Sequence, residues 1–175
     1  FLLIGGEDAR RDMILSIDSG GRRSGTQEAW TDFADYWLKD GGVVDVLDQT
    51  IANAKTRIGR PSFRHKVVIT MPDPIMLEYF TDKGSSTTYW GSVHDRTLDF
   101  QNTADQVLAY QWYINYVIEQ WEKLTPQNVE LAGFYILSEI LVAKPSGWNY
   151  KYKRWDKILP PVASYLHEMK YGLYW

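Results

Sequence analysis

The 175-residue chain contains no cysteine. Without thiols it can form neither a disulfide framework nor a thiolate metal site, and it has no cysteine nucleophile. It also lacks a surplus of positive charge, because 19 Lys and Arg stand against 22 Asp and Glu, a net charge of −3. A protein that binds a phosphate backbone carries such a surplus, so nucleic acid is not predicted as a partner.

Long apolar runs and nucleotide-binding motifs are missing as well. No stretch of about 18 apolar residues occurs, so no transmembrane helix is predicted. The patterns GxGxxG, GxxxxGK[ST] and GxSxG are absent, and we therefore predict no nucleotide cofactor and no serine-hydrolase nucleophile. His65, His94 and His167 lie too far apart in the sequence for the usual zinc motifs, so no metal site is predicted.

Aromatic residues, by contrast, are abundant: six Phe, eight Trp and twelve Tyr. Most of these rings should pack in the core, where each buries a large apolar area. A Trp or Tyr that keeps one face free offers a flat surface on which a sugar ring can stack. The aromatic content therefore leaves carbohydrate as a candidate ligand class.

Hydrophobic patterns alternate along the chain between helical and strand periods. They predict helices over residues 27–39, 43–58, 103–124 and 155–169, and strands near 1–4, 66–71, 129–137 and 171–175. Continuous β-branched runs such as Lys66–Met71 are typical of parallel strands buried on both faces. Residues 83–92 are polar, and we predict a loop there that serves a site.

This order of elements predicts an α/β protein with a parallel sheet. A complete barrel of this kind needs eight strand–helix units and about 250 residues, so we predict a partial or truncated TIM barrel in a single domain over residues 1–175. The chain begins and stops inside apolar runs, from which we expect the barrel to continue beyond both ends.

The helix predicted over residues 103–124 should bury one face. Ile114, Val117 and Trp121 lie on this face and should be buried together, whereas Trp112 lies off it.

Acidic residues follow three of the predicted strands. Glu139 comes soon after the strand ending at Leu137, Asp73 lies between two prolines after Met71, and Asp8 follows the first strand. The carboxyl ends of parallel strands line the ligand-binding crevice of α/β folds, so these acids are candidate catalytic groups. The alternatives are a helix N-terminal acid for Glu139 and a turn residue bonding its own backbone for Asp73.

Several segments together resemble a known family. They are the strand KVVITMPDP, the helix around Gln111–Ile114, the strand Val129–Tyr135 with Glu139 after it, and the final Tyr174–Trp175. These segments are similar to a bacterial family of domains of unknown function, number 4855. The resemblance implies a TIM-barrel-like fold with a setting like that of glycoside hydrolases, and it places Glu139 on the family's strand-end acid.

Our first hypothesis is a secreted or cell-surface glycosidase in which Glu139 is the general acid/base. The second acid, as nucleophile or base, would be Asp73, Asp8 or an acid outside this chain. In such an enzyme Glu139 would face a solvent-connected cavity. The candidate substrate contacts are Trp90, Tyr135, Trp148, Trp175 and Arg22. The rival hypothesis is a noncatalytic glycan-binding or surface scaffold protein. A second carboxylate about 5 Å from Glu139 would indicate a retaining enzyme, and one at roughly 6.5 to 9.5 Å an inverting one.

Overall fold

The computed structural model describes residues 2–3, 26–59, 63–74, 87–136 and 155–175. The elements, in chain order, are β1 Leu2–Leu3, α1 Gln27–Leu38, α2 Val43–Ile58, β2 His65–Met71, β3 Ser92–Val93, β4 Arg96–Thr97, α3 Thr103–Leu124, β5 Val129–Ile136, α4 Trp155–Glu168 and β6 Gly172–Tyr174. No helix in these ranges is long and apolar enough to cross a membrane.

Four of the strands form one parallel sheet in the order β1-β2-β5-β6. The predicted strand positions, their neighbour order and their parallel pairing are thereby confirmed. In the register of the sheet, Thr70 on β2 lies beside Tyr135 on β5, which in turn lies beside Tyr174 on β6. The carboxyl ends of these three strands therefore meet at one edge.

The prediction of a TIM barrel, partial or truncated, is wrong. Among the described residues the parallel sheet is open, with β1 and β6 as its outer strands, and no closure is present. Strands β3 and β4 form a separate antiparallel hairpin inside the stretch from 87 to 100, part of which we predicted to be a loop. Alternating helices and parallel strands occur in barrels and in open α/β sheets alike, so the pattern does not specify closure.

Capping residues mark the starts of α1 and α3 and the end of α2. The Thr26 hydroxyl accepts a hydrogen bond from the backbone N–H of Ala29 at the start of α1, and Asn102 caps α3 through Ala104. Helix α2 ends at Gly59, whose φ of 63° lies in the left-handed region. The predicted face of α3 is confirmed, since its three apolar residues are buried while Trp112 is half-buried.

A cluster of aromatic rings joins α1, α3 and the segment that carries the hairpin. Trp30 on α1 meets Trp90 edge to face at 5.1 Å between ring centroids, and it meets Tyr113 on α3 in the same way at 5.8 Å. Phe100 and Tyr110 pack against the same tryptophan. All five rings are almost fully buried, so much of the aromatic content is core.

Candidate functional site

The carboxyl edge of the sheet carries a buried acid directly after β2. Strand β2 ends at Met71, and Asp73 follows between Pro72 and Pro74 with only 4% of its surface exposed. The hydroxyl of Tyr110 on α3 donates a hydrogen bond to Asp73 Oδ1 at 3.1 Å. A carboxylate in this position is removed from bulk water and oriented by a neighbouring helix.

Helix α3 holds this turn at three successive points. Gln106 Nε2 donates to the carbonyl oxygen of Pro74 at 2.9 Å, and the Tyr113 hydroxyl donates to the carbonyl oxygen of Thr70 at 3.3 Å. With Tyr110, these residues are spaced at i, i+4 and i+7, the period of one helix face. The sequence analysis did not predict that these side chains contact the end of β2. Their spacing, which places three polar groups on one face of the helix, could have indicated such a contact.

The electrostatics of the pair keep Tyr110 protonated. Burial raises the pKa of the Tyr110 hydroxyl well above its ordinary value, and the charge of Asp73 and the hydrogen bond to it raise it further. The phenol therefore remains a donor to the carboxylate throughout the neutral pH range. Burial likewise raises the pKa of Tyr113, with smaller contributions from Tyr116 and Asp35.

Aromatic side chains continue the edge across β5 and β6. Tyr135 is buried, whereas Tyr174 is 42% and Trp175 58% exposed. Gly133 allows β6 to lie this close, because a Cβ atom at that position would sit 2.0 Å from the carbonyl oxygen of Gly172. The backbone of Gly133 has a φ of 155°, which glycine adopts without strain.

The other predicted site residues divide into two groups. Trp90 is described and only 1% exposed, with its ring packed between Trp30, Phe100 and Trp112. It is a packing group in this structure, and its contact with substrate stays a prediction. The other four predicted site residues lie outside the described ranges: Glu139, Asp8, Trp148 and Arg22. The predicted cavity at Glu139 and the distance from Glu139 to a second carboxylate therefore stay predictions.

Metal-binding geometry does not occur at the edge or elsewhere in the described ranges, where no group of three or more His, Cys, Asp or Glu residues could hold a metal ion. The chemistry that these ranges offer at the edge is one buried carboxylate, held by the hydroxyl of Tyr110, and exposed aromatic side chains. This combination suits a ligand with both apolar and hydroxyl-bearing surfaces.

Comparison with protein families gives one match. The model of a family described as a domain of unknown function, DUF4855, matches residues 6–175. The chain belongs to this family. The resemblance seen in the sequence is confirmed, and the description of DUF4855 assigns no activity. No curated protein and no solved structure matches the chain.

Proposed function

We propose that this DUF4855 domain is carbohydrate-active and binds glycans at the carboxyl edge of its parallel sheet, in a secreted or cell-surface setting. The observation that carries the proposal is the exposed Trp175, which directly follows β6 at the same edge as the buried acid Asp73. Tyr174 is exposed as well, and its ring lies over Gly172. Ligands of open α/β sheets bind outside the carboxyl ends of the strands, which is where these groups lie.

The spacing across the edge suits a small saccharide. Only β5 separates β2 from β6. Two inter-strand distances, about 10 Å in all, therefore separate the strand that precedes Asp73 from the strand that precedes Trp175. A saccharide could place the apolar face of one ring on an aromatic side chain and direct hydroxyl groups toward the carboxylate. Aromatic walls with a few placed polar groups are the usual composition of such sites.

The binding proposal is tested with three single variants. Tyr174→Ala and Trp175→Ala should each weaken binding of an oligosaccharide selected from a glycan array by about tenfold or more, measured by isothermal titration calorimetry. Tyr36→Ala is the matched control, because Tyr36 is 47% exposed and lies on α1. Equal binding by all four proteins, or no glycan bound on the array, would overturn the proposal.

Glycoside hydrolysis is the second candidate, favoured by the orientation of the Asp73 carboxylate through Tyr110. In it Glu139 is the general acid/base, and Asp73 or Asp8 is the nucleophile or base. Glu139→Gln should then reduce hydrolysis of the bound glycan about 10²-fold or more with little change in stability. If Glu139→Gln retains the wild-type rate, Glu139 is not the acid.

A further inference from the structure

A second cleft lies on the helical layer, away from the strand ends. It has a volume of about 280 Å³ and runs along the outer face of α3, between the β3–β4 hairpin and α4. We call it the α3 cleft, and its lining residues are Val93, His94, Leu108, Gln111, Trp112, Asn115, Tyr116, Glu119 and Tyr165. None of these residues belongs to the carboxyl edge. Its volume is at the low end of the range for ligand pockets, which suits one ring or two.

One wall of the α3 cleft is aromatic and held in place. The rings of Trp112 and Tyr116 lie 5.8 Å apart between centroids with 20° between their planes, a stacked arrangement. The Tyr116 hydroxyl donates to Asp35 Oδ1 at 2.7 Å, which fixes the ring. Burial, followed by this hydrogen bond and the charge of Asp35, raises the pKa of Tyr116, so the ring stays neutral near pH 7. A fixed neutral ring pair loses little conformational entropy when a ligand stacks on it.

Two of the polar side chains that line the cleft are the carboxamides of Gln111 and Asn115. The Tyr165 hydroxyl donates to Asn115 Oδ1 at 2.7 Å, which leaves the two Nδ2 hydrogens of Asn115 as donors. The Gln111 carboxamide makes no hydrogen bond within the part of the chain that the structure describes, and it keeps both a donor and an acceptor. Sugar hydroxyls also both donate and accept, so these two side chains match them.

Negative charge near the cleft is only partly paired, since Asp35 and Asp32 act on Tyr116 together with Glu119. Glu119 is the carboxylate among the described lining residues, and its Oε1 is paired with Lys123 Nζ at 2.8 Å. An aromatic cage for a quaternary ammonium group needs a negative potential that this ion pair reduces. Because the two carboxamides match sugar hydroxyls, we propose that the α3 cleft binds a neutral pyranose ring, as a carbohydrate site separate from the carboxyl edge.

The proposal is tested on the full chain by NMR titration with methyl β-D-glucopyranoside, methyl β-D-galactopyranoside and N-acetylglucosamine. At least one sugar should shift the side-chain amide signals of Gln111 and Asn115, with a Kd of about millimolar magnitude for so small a ligand. The position of the shifted signals separates this cleft from the carboxyl edge. Shifts confined to Tyr174 and Trp175 would overturn the α3 cleft proposal and leave the other intact.

Variants then establish the role of the carboxamides. Gln111→Ala combined with Asn115→Ala should raise the Kd about tenfold or more. The thermal midpoint should change little, because the hydrogen bond from Tyr165 to Asn115 that is lost is exposed to water. Gln120→Ala is the control, because Gln120 is a half-buried glutamine on the same helix outside the lining. Three results would overturn the proposal: no sugar shifting these signals at about 50 mM, an equal loss of affinity in the control, or binding of tetramethylammonium but of no sugar.

Discussion

The two edges of the parallel sheet use polar and charged side chains differently. At the amino edge, Asp48 on α2 accepts hydrogen bonds from the backbone N–H groups of Asn128 and Val129, at 2.5 and 3.1 Å, where β5 begins. Arg64, just before β2, donates to the carbonyl oxygens of Val129 and Pro126 at 3.0 and 2.6 Å. Both side chains are used to join the strand starts to each other and to α2.

At the carboxyl edge, side chains of α3 also bond backbone carbonyls at Thr70 and Pro74, and in addition one of them orients an acid. Tyr110 bonds the Asp73 carboxylate, and two exposed aromatic residues lie at the end of the outer strand β6 and directly after it. Closing interactions contribute to stability, whereas a positioned acid beside exposed rings can contact a ligand. The direction of the parallel strands therefore separates a stabilising edge from the candidate binding edge, as in other α/β proteins.

The sharpest test of this difference removes the amino-edge acid. Asp48→Ala leaves the backbone N–H groups at the start of β5 without their acceptor, and we expect a loss of about 2 to 3 kcal/mol in the free energy of unfolding. Urea denaturation of the variant and wild type measures this loss. Asp40→Ala is the control, since Asp40 is an exposed acid between α1 and α2, and it should change stability by less than about 0.5 kcal/mol. Equal losses in the two variants would contradict a closing role for Asp48.

A smaller effect is expected at the carboxyl edge. Tyr110→Phe keeps the buried ring and removes the hydrogen bond to Asp73, so we expect a loss of about 1 to 2 kcal/mol in the free energy of unfolding. The same variant should weaken glycan binding, because the carboxylate is less well oriented. Tyr36→Phe on α1 serves as the control for removing a hydroxyl from a tyrosine that is 47% exposed, and it should change stability by less than about 0.5 kcal/mol and leave glycan binding unchanged. If Tyr110→Phe lowers stability and leaves binding unchanged, the contact has only a structural role.

The sequence predicts the sheet well and its closure poorly. The strand Lys66–Met71 and its parallel neighbour Val129–Ile136 are continuous apolar runs, and such runs have few alternatives to a buried parallel strand. Whether β1 and β6 meet other strands depends on contacts between distant segments, which local periodicity does not contain. The β3–β4 hairpin was missed because each of its strands has only two residues, too few for any pattern.

In the candidate site, too, features set by neighbouring residues could be predicted, and contacts between distant segments could not. The place of Asp73 at a strand end follows from the strand that precedes it, and the structure describes it there. The contact with Tyr110 could not be predicted, because it requires α3 to pack over the end of β2, 37 residues away in the sequence. Trp90 lies in a polar stretch typical of an exposed loop, yet packing against Trp30 buries it. Burial of a single aromatic side chain is a tertiary property.

The dependence of stability on pH gives the smallest expected effect and should differ in sign between the two edges. Burial raises the pKa of Asp48, but the hydrogen bonds from Asn128 and Val129 outweigh it, and the net pKa lies below the ordinary value of 3.8. The folded state then binds protons less readily than the unfolded state. The stabilisation by Asp48 is therefore complete above pH 3.8 and is lost as the pH falls through the lowered value.

Tyr110 has the opposite behaviour, since burial and the neighbouring Asp73 raise its pKa above the ordinary value of 10.0. Above pH 10.0 the unfolded chain loses this proton while the folded chain keeps it, so stability falls as the pH rises. Urea unfolding from pH 2.5 to 11 should show the gap between wild type and Asp48→Asn narrowing only in acid. The gap between wild type and Tyr110→Phe should narrow in alkali, where the gap between wild type and Asp48→Asn stays constant. Parallel changes of both gaps in alkali would mean that the two edges are not electrostatically distinct.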